Sequence, residues 1–161
     1  MPKLDIEEVG RAGISVHEAS HAYVLFHYDI EIEHLKLEFG WLGDLQGGYV
    51  RPAYQEKWTP ELFEGYVVSY TAGEIGMEKF LLESGMSPGP AGRMAEYSAF
   101  YDRPDMHELL RFAETRPDLP DLTESWARSR ADILVDRYWP SIKEVGELLT
   151  QKRKLSGRVV T

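Results

Sequence analysis

The residues best suited to chemistry lie near the start of the chain, in the run His17-Glu18-Ala19-Ser20-His21. The run matches the pattern H-E-x-x-H, in which two histidines stand four residues apart. On an α-helix this spacing places both imidazole rings on one face, where they can bind one zinc ion. Glu18 then lies beside the metal, where its carboxylate can take a proton from zinc-bound water as that water attacks a peptide carbonyl. The pattern therefore predicts metallopeptidase chemistry.

A second interpretation of the same residues is purely structural. Ser15 and Glu18 have the spacing of a capping box, in which a hydroxyl and a carboxylate bind backbone amides at a helix start. The helix would then begin at Ser15, and the two histidines would be half-buried without binding a metal. The motif alone does not exclude this alternative.

Composition narrows the classes of function. The 161 residues are 43% hydrophobic and 28% charged, which is typical of one globular domain over residues 1–161. The net charge of −9 argues against a nucleic-acid partner and against binding to anionic membranes. The chain has no cysteine for a disulfide or a thiolate zinc site, and no apolar run long enough for membrane insertion. A cytoplasmic location is therefore the default expectation.

The elements that must position the motif can be predicted from periodicity and turn residues. Residues 5–28 are predicted to form a helix, and its apolar second half indicates a central, buried position. Alternation over residues 30–39, a turn over 40–48 and an extended segment over 49–51 predict a small antiparallel sheet. An edge strand of this sheet could bind extended peptide by strand addition, or the sheet could simply cover the core.

The rest of the chain is predicted to be helical. Thr59, Pro60 and Glu61 are typical of a helix start, and this helix should continue to about Ser84 and pack on the motif helix. Further expected segments follow in order: a loop over 85–92, short helices over 93–101 and 104–115, a helical segment over 122–154 that Pro140 divides, and a flexible tail over 154–161. The predicted fold class is α+β, mainly α.

A catalytic zinc site usually has three protein ligands and an open position for water, so the two histidines need a third partner. The later part of the chain offers acidic and histidine side chains for this role: Glu74, Glu78, Asp102, Asp105 and His107. Residue chemistry alone does not choose among them.

The order of the motifs resembles the peptidase domain of FtsH-type ATP-dependent zinc proteases. That family has His-Glu-Ala-Gly-His-Ala where this chain has His-Glu-Ala-Ser-His-Ala at 17–22. Later segments are similar in the same order: the strand region from 34–37 to 47–50, the helix at 71–78, the aspartate segment at 104–113 and the final helices from 133 to 157. The resemblance covers nearly the whole chain and implies a zincin-like fold in which the motif helix is central.

Carried to this sequence, the resemblance implies that His17, His21 and Asp105 bind Zn2+ and that Glu18 is the general base. The chain departs from the family pattern at Ser20, which replaces a glycine, and over 87–103, which lacks the family's short glycine-rich lead into the aspartate. The second departure leaves Asp102 and Glu74 as alternatives to Asp105.

The sequence thus predicts a stand-alone zinc endopeptidase without the ATPase module, acting on peptides or unfolded protein segments. A homo-oligomer or a separate unfoldase partner is implied by the resemblance alone. The alternative hypothesis is a catalytically inactive protein that uses the same fold as a binding or assembly module.

Overall fold

A computed structural model describes residues 5–161, which are mainly helical and carry one small antiparallel sheet. The elements follow the order α1 (Ile6–His27), β1 (Ile32–Phe39), β2 (Leu45–Pro52), α2 (Pro60–Glu83), α3 (Pro88–Ser98), α4 (Asp102–Glu114), α5 (Glu124–Arg137), α6 (Trp139–Lys152) and β3 (Lys154–Ser156), with a 3-10 turn at Gly157–Val159. Along these residues, none of the helices combines the length and the apolar composition that crossing a bilayer requires.

Helix α1, which carries the motif, begins well before it. Asp5 caps the helix, and its carboxylate accepts hydrogen bonds from the amides of Glu7 and Glu8 at 3.1 and 3.2 Å. The helix then runs without interruption through Ser15, which is buried in its interior. The predicted helix over residues 5–28 is therefore confirmed, and the capping-box start at Ser15 is wrong.

Helix α2 packs along α1, which confirms the predicted packing of this helix on the motif helix. Thr59 caps α2 through its hydroxyl, and Pro60 occupies the first turn, where its missing amide proton is not needed. Gly76 of α2 lies directly against Ser20 of α1, so a side chain at Gly76 would overlap the serine hydroxyl. The close approach of the two helices therefore tolerates Ser20 because its neighbour on α2 is a glycine.

The sheet has the order β2-β1-β3, and both pairings are antiparallel. Leu35 and Leu37 of the central strand β1 are fully buried and face the core beneath the sheet. Strand β2 begins at Leu45, earlier than predicted, because the turn after β1 needs only residues 40–44. In the part of the chain that the structure describes, β2 pairs with β1 alone, so its other edge is free.

Two predictions about the second half of the chain need correction. Residues 85–92 are not all loop, since α3 begins at Pro88; prolines fit the first turn of a helix, where amide protons have no helical partner. The prediction of a flexible tail over residues 154–161 is wrong, because β3 pairs with β1, and Leu155 and Val160 are buried in the core. The predicted division at Pro140 is confirmed, because α5 ends at Arg137 and α6 starts at Trp139.

Candidate metal centre

His17 and His21 project from one face of α1, one turn apart, into the interface with α2. Both residues are buried, at 3% and 7% exposure, which is unusual for two titratable groups on one helix face. The Nε2 atoms of the two rings lie 2.9 Å apart, and the rings meet edge to face. The two predicted ligands therefore converge on one point.

Asp102 completes the convergence from α4. Its Oδ2 atom lies 2.9 Å from Nε2 of His17 and 3.1 Å from Nε2 of His21. Among the described residues, these three side chains lie close enough together to hold a metal ion. We call His17, His21 and Asp102 the metal group. In a tetrahedral zinc site with bonds of about 2.0–2.1 Å, ligand atoms lie roughly 3.3 Å apart, so the observed separations are slightly shorter but of the right size.

Asp105, the ligand that the resemblance implies, does not reach this group. It lies one turn further along α4 and is exposed. Helix α4 begins at Asp102, before the predicted start at Pro104, and its first residue is the one that faces the histidines. Positions 102 and 105 lie on similar faces of one helix, so helical periodicity could not distinguish them. The structure therefore places Asp102, and not Asp105, beside the two histidines.

The other candidates for the third ligand have different partners. Glu74 is buried on α2 and binds two arginines, Arg103 and Arg128, at 2.7 and 3.1 Å. His107 is exposed on α4 and lies 3.0 Å from a carboxylate oxygen of Glu124. Neither side chain belongs to the converging group, and Glu78 of α2 does not belong to it either.

The outer nitrogens of both imidazoles have partners that fix the ring orientation. Nδ1 of His21 lies 2.5 Å from the carbonyl oxygen of Ser69, which can only accept a hydrogen bond. Nδ1 of His17 lies 3.0 Å from the hydroxyl of Ser98, which itself donates to the carbonyl of Ala95 at 2.6 Å and so accepts from the ring. Both rings therefore carry the proton on Nδ1 and direct Nε2 inward, as metal-binding histidines do.

A positive charge between the three inward donor atoms would stabilise this arrangement. With both Nδ1 atoms protonated, two nitrogen lone pairs and a carboxylate oxygen face one another at about hydrogen-bond distance. Burial lowers the pKa of His21, but the charge and hydrogen bond of Asp102, the charge of Glu18 and the carbonyl of Ser69 together raise that pKa to about 9. A proton on Nε2 of His21 can be shared with His17 and Asp102. It does not lie between His17 and Asp102, so their lone pairs still face each other. A metal ion satisfies all three donor atoms at once.

Gly73 of α2 leaves room for such an ion. A Cβ atom at this position would lie 2.6 Å from Nε2 of His17 and 2.6 Å from Nε2 of His21. The space that a larger residue would fill is therefore next to both inward nitrogens. The donor set, its orientation and this space all fit zinc, which binds histidine nitrogen and carboxylate oxygen in tetrahedral sites.

Glu18 lies beside the group, with one carboxylate oxygen 4.0 Å from Nε2 of His17. It is 5% exposed, and burial raises the pKa of its carboxyl, although the neighbouring histidines act in the opposite direction. Gly48 of β2 lies over it, so that a Cβ there would be 3.0 Å from Cγ of Glu18. The predicted base is thus close to the metal group and to the free edge of the sheet.

Two cavities, of about 250 and 400 Å3, flank this point and share Glu18, Gly48 and Asp102 in their walls. The smaller continues along β2 towards Pro52 and includes Tyr70 of α2. The larger is walled by aromatic side chains that are strongly exposed: Tyr97, Phe100 and Tyr101. Together they form a groove beside β2, with the metal group at its middle.

Sequence reasoning missed several residues of this site. Ser98 and Tyr70 carried no recognisable signal, because their roles depend on contacts between elements far apart in the chain. Gly73 is missed for the same reason, because its position beside the two imidazoles depends on how α1 and α2 pack together.

Comparison with known proteins does not extend this description. No protein-family model matches the chain, and no curated protein is significantly similar to it.

Proposed function

We propose that the chain is a zinc-dependent endopeptidase with a zincin-like fold similar to the peptidase domain of the FtsH-type proteases. The observation that carries the proposal is the convergence of His17, His21 and Asp102 beside the buried carboxylate of Glu18. The sequence motif supplies three of these residues, and the fold supplies Asp102 independently. Two buried histidines that are held by outer hydrogen bonds, together with a carboxylate, are the donor set of a catalytic zinc site.

His17, His21 and Asp102 would hold the metal. Bound zinc supplies a Lewis acid that polarises a carbonyl and lowers the pKa of water. The chain itself contributes the base. Glu18 accepts the proton of the attacking water and then delivers it to the departing amine nitrogen. Because burial raises the pKa of Glu18, its carboxylate is a stronger base than an exposed one and can hold the proton between these two events.

The groove favours an extended peptide as the substrate. Among residues 5–161, no strand pairs with the outer edge of β2 next to Glu18, and a peptide can add to such an edge as a further strand. The absence of side chains at Gly47 and Gly48 allows a backbone to approach there. The exposed aromatic wall at 97–101 gives apolar side chains of the peptide a surface to contact. Folded proteins do not present such a segment, so peptides and unfolded regions are the proposed substrates.

The test compares Glu18→Gln with the wild-type chain after loading with zinc. We expect one equivalent of zinc in both proteins by mass spectrometry, and cleavage of a fluorescently labelled unfolded protein by the wild-type chain only. Glu8→Gln is the matched control, since Glu8 lies exposed on the same helix and should keep full activity. Equal cleavage by Glu18→Gln would overturn the mechanism. Zinc binding without any cleavage would favour a binding module.

A further inference from the structure

Glu74 is a buried carboxylate that the proposed chemistry does not use. It is 6% exposed, in the middle of α2, and each of its oxygens binds a different arginine. One bond, of 2.7 Å, goes to Arg103 of α4, and the other, of 3.1 Å, goes to Arg128 of α5. A buried carboxylate needs such partners, and the choice of partners ties α2 to two different helices.

The two arginines differ in what they hold. Arg103 directly follows Asp102, so its bond to Glu74 anchors the residue next to the third corner of the metal group. Arg128 belongs to α5, which contributes no residue to that group. Glu74 therefore forms one ion pair with the residue next to Asp102 and a second ion pair with a helix outside the metal group.

Helix α4 has few other anchors near its start. Tyr101, which precedes the helix, makes no capping hydrogen bond with its side chain. Met106 is the one residue of the helix that is fully buried. The second acidic neighbour of Arg103 is Glu96, which is 3.6 Å away and exposed, so it contributes little. Apart from the contacts of Asp102 with the two histidines, the bond from Glu74 to Arg103 is therefore the main side-chain polar contact between the first turn of α4 and the core.

We propose that Glu74 is a positioning residue for the metal site: through Arg103 it fixes the first turn of α4 and thereby holds Asp102 against His17 and His21. This role rests on the proposed zinc site. Histidine ligands on a single rigid helix are prepositioned by that helix, whereas the ligand from α4 depends on the anchoring of a separate element. Loss of the anchor should weaken metal binding without removing any ligand.

The experiment measures zinc affinity by competition with a chromophoric chelator. We expect Arg103→Gln and Glu74→Gln each to weaken zinc binding about 10-fold, the size typical for groups that orient a ligand. Arg128→Gln removes the other ion pair of Glu74 and should leave zinc affinity within about twofold of wild type, even where it lowers thermal stability. Arg103→Gln changes a partly exposed side chain, so it provides a folded variant even if Glu74→Gln does not fold.

A double-mutant cycle separates positioning from general destabilisation. Asp102→Ala should retain a weaker zinc affinity from His17 and His21, and Arg103→Gln should not weaken it further, because the ligand that Arg103 positions is gone. Wild-type zinc affinity in Arg103→Gln, or an undiminished effect of this substitution in the Asp102→Ala background, would overturn the positioning role alone. A wild-type chain that binds no zinc would overturn the proposed function as well.

Discussion

Ser20 on α1 and Gly76 on α2 are in direct contact, and a methyl group on Gly76 would overlap the serine hydroxyl. Gly76→Ala should therefore destabilise the protein by about 1–3 kcal/mol, the usual cost of overpacking a core. Removing the opposing side chain relieves the overlap, so Ser20→Gly should recover part of the loss when combined with Gly76→Ala. Urea denaturation of the three variants checks this. Strictly additive losses would show that the two residues do not compete for space.

Asp102→Ala and Asp105→Ala should affect metal binding in opposite ways. Asp102 lies within 3.1 Å of both imidazoles, whereas Asp105 is exposed and outside the group. We expect Asp102→Ala to lose zinc on dialysis while Asp105→Ala retains one equivalent. Mass spectrometry of the dialysed proteins gives the answer. Zinc lost from Asp105→Ala and kept by Asp102→Ala would restore the ligand set that the family resemblance implies.

Ser98→Ala should weaken zinc binding although Ser98 is not a ligand. The substitution removes the acceptor for Nδ1 of His17, and loss of such an outer hydrogen bond typically costs 10–100-fold in metal affinity, so a decrease of about 10-fold is expected. Ser84→Ala is the control, because Ser84 bonds a carbonyl of its own helix in the same way but lies outside the metal group. Chelator competition should separate the two variants; equal affinities would argue against the assigned ring orientation.

Gly73→Ala should abolish zinc binding. The added methyl would lie 2.6 Å from both inward nitrogens and would occupy space that the metal needs. Gly13→Ala is the comparison, since a methyl there meets mainly the flexible side chain of Met77, at 3.2 Å. Calorimetric titration with zinc should detect binding in Gly13→Ala only. A normal titration of Gly73→Ala would place the ion elsewhere.

Tyr70→Phe should lower kcat more than KM. Tyr70 lines the cavity that contains Glu18 and His21, and burial together with the nearby carboxylates of Asp105 and Asp102 raises its pKa to about 12. A raised pKa keeps the phenol protonated at all lower pH values, so it can donate a hydrogen bond to the developing oxyanion. Loss of such a donor costs about 10²-fold in kcat.

Tyr66→Phe is the control for this kinetic measurement. Tyr66 lines the same cavity, but burial alone raises its pKa, and no carboxylate contributes. We expect its kcat to stay close to wild type. Equal kinetic losses in both variants would indicate a general effect on the cavity.

The parts of the fold that could be predicted are those with local causes. Helix α1 follows from apolar periodicity, α2 begins where the hydroxyl of Thr59 and the ring of Pro60 favour a start, and Pro140 divides the last helices. Strand β3 is too short to show an alternating pattern, and its order comes from pairing with β1 at the other end of the chain. Its prediction as a flexible tail failed for that reason.

The residues of the candidate site also differ in whether local sequence patterns predict them. His17, Glu18 and His21 follow from one spacing on one helix, since four residues make one turn. The position of Asp102 depends on how α3 and the turn after it place the start of α4 against α1. No local sequence pattern predicts this placement. Glu74 was a plausible ligand by residue type, and only the positions of Arg103 and Arg128 assign it to ion pairs.

The pairing of Leu35 with Leu155 also affects when this fold is completed during synthesis. Contacts between residues so distant in sequence form late, because the intervening chain must first be made and closed into a loop. Until β3 has left the ribosome, β1 has an unpaired edge and the sheet beside Glu18 lacks its third strand. On the proposed function, a nascent chain would therefore have an incomplete substrate platform, and peptide cleavage would begin only after translation has passed β3.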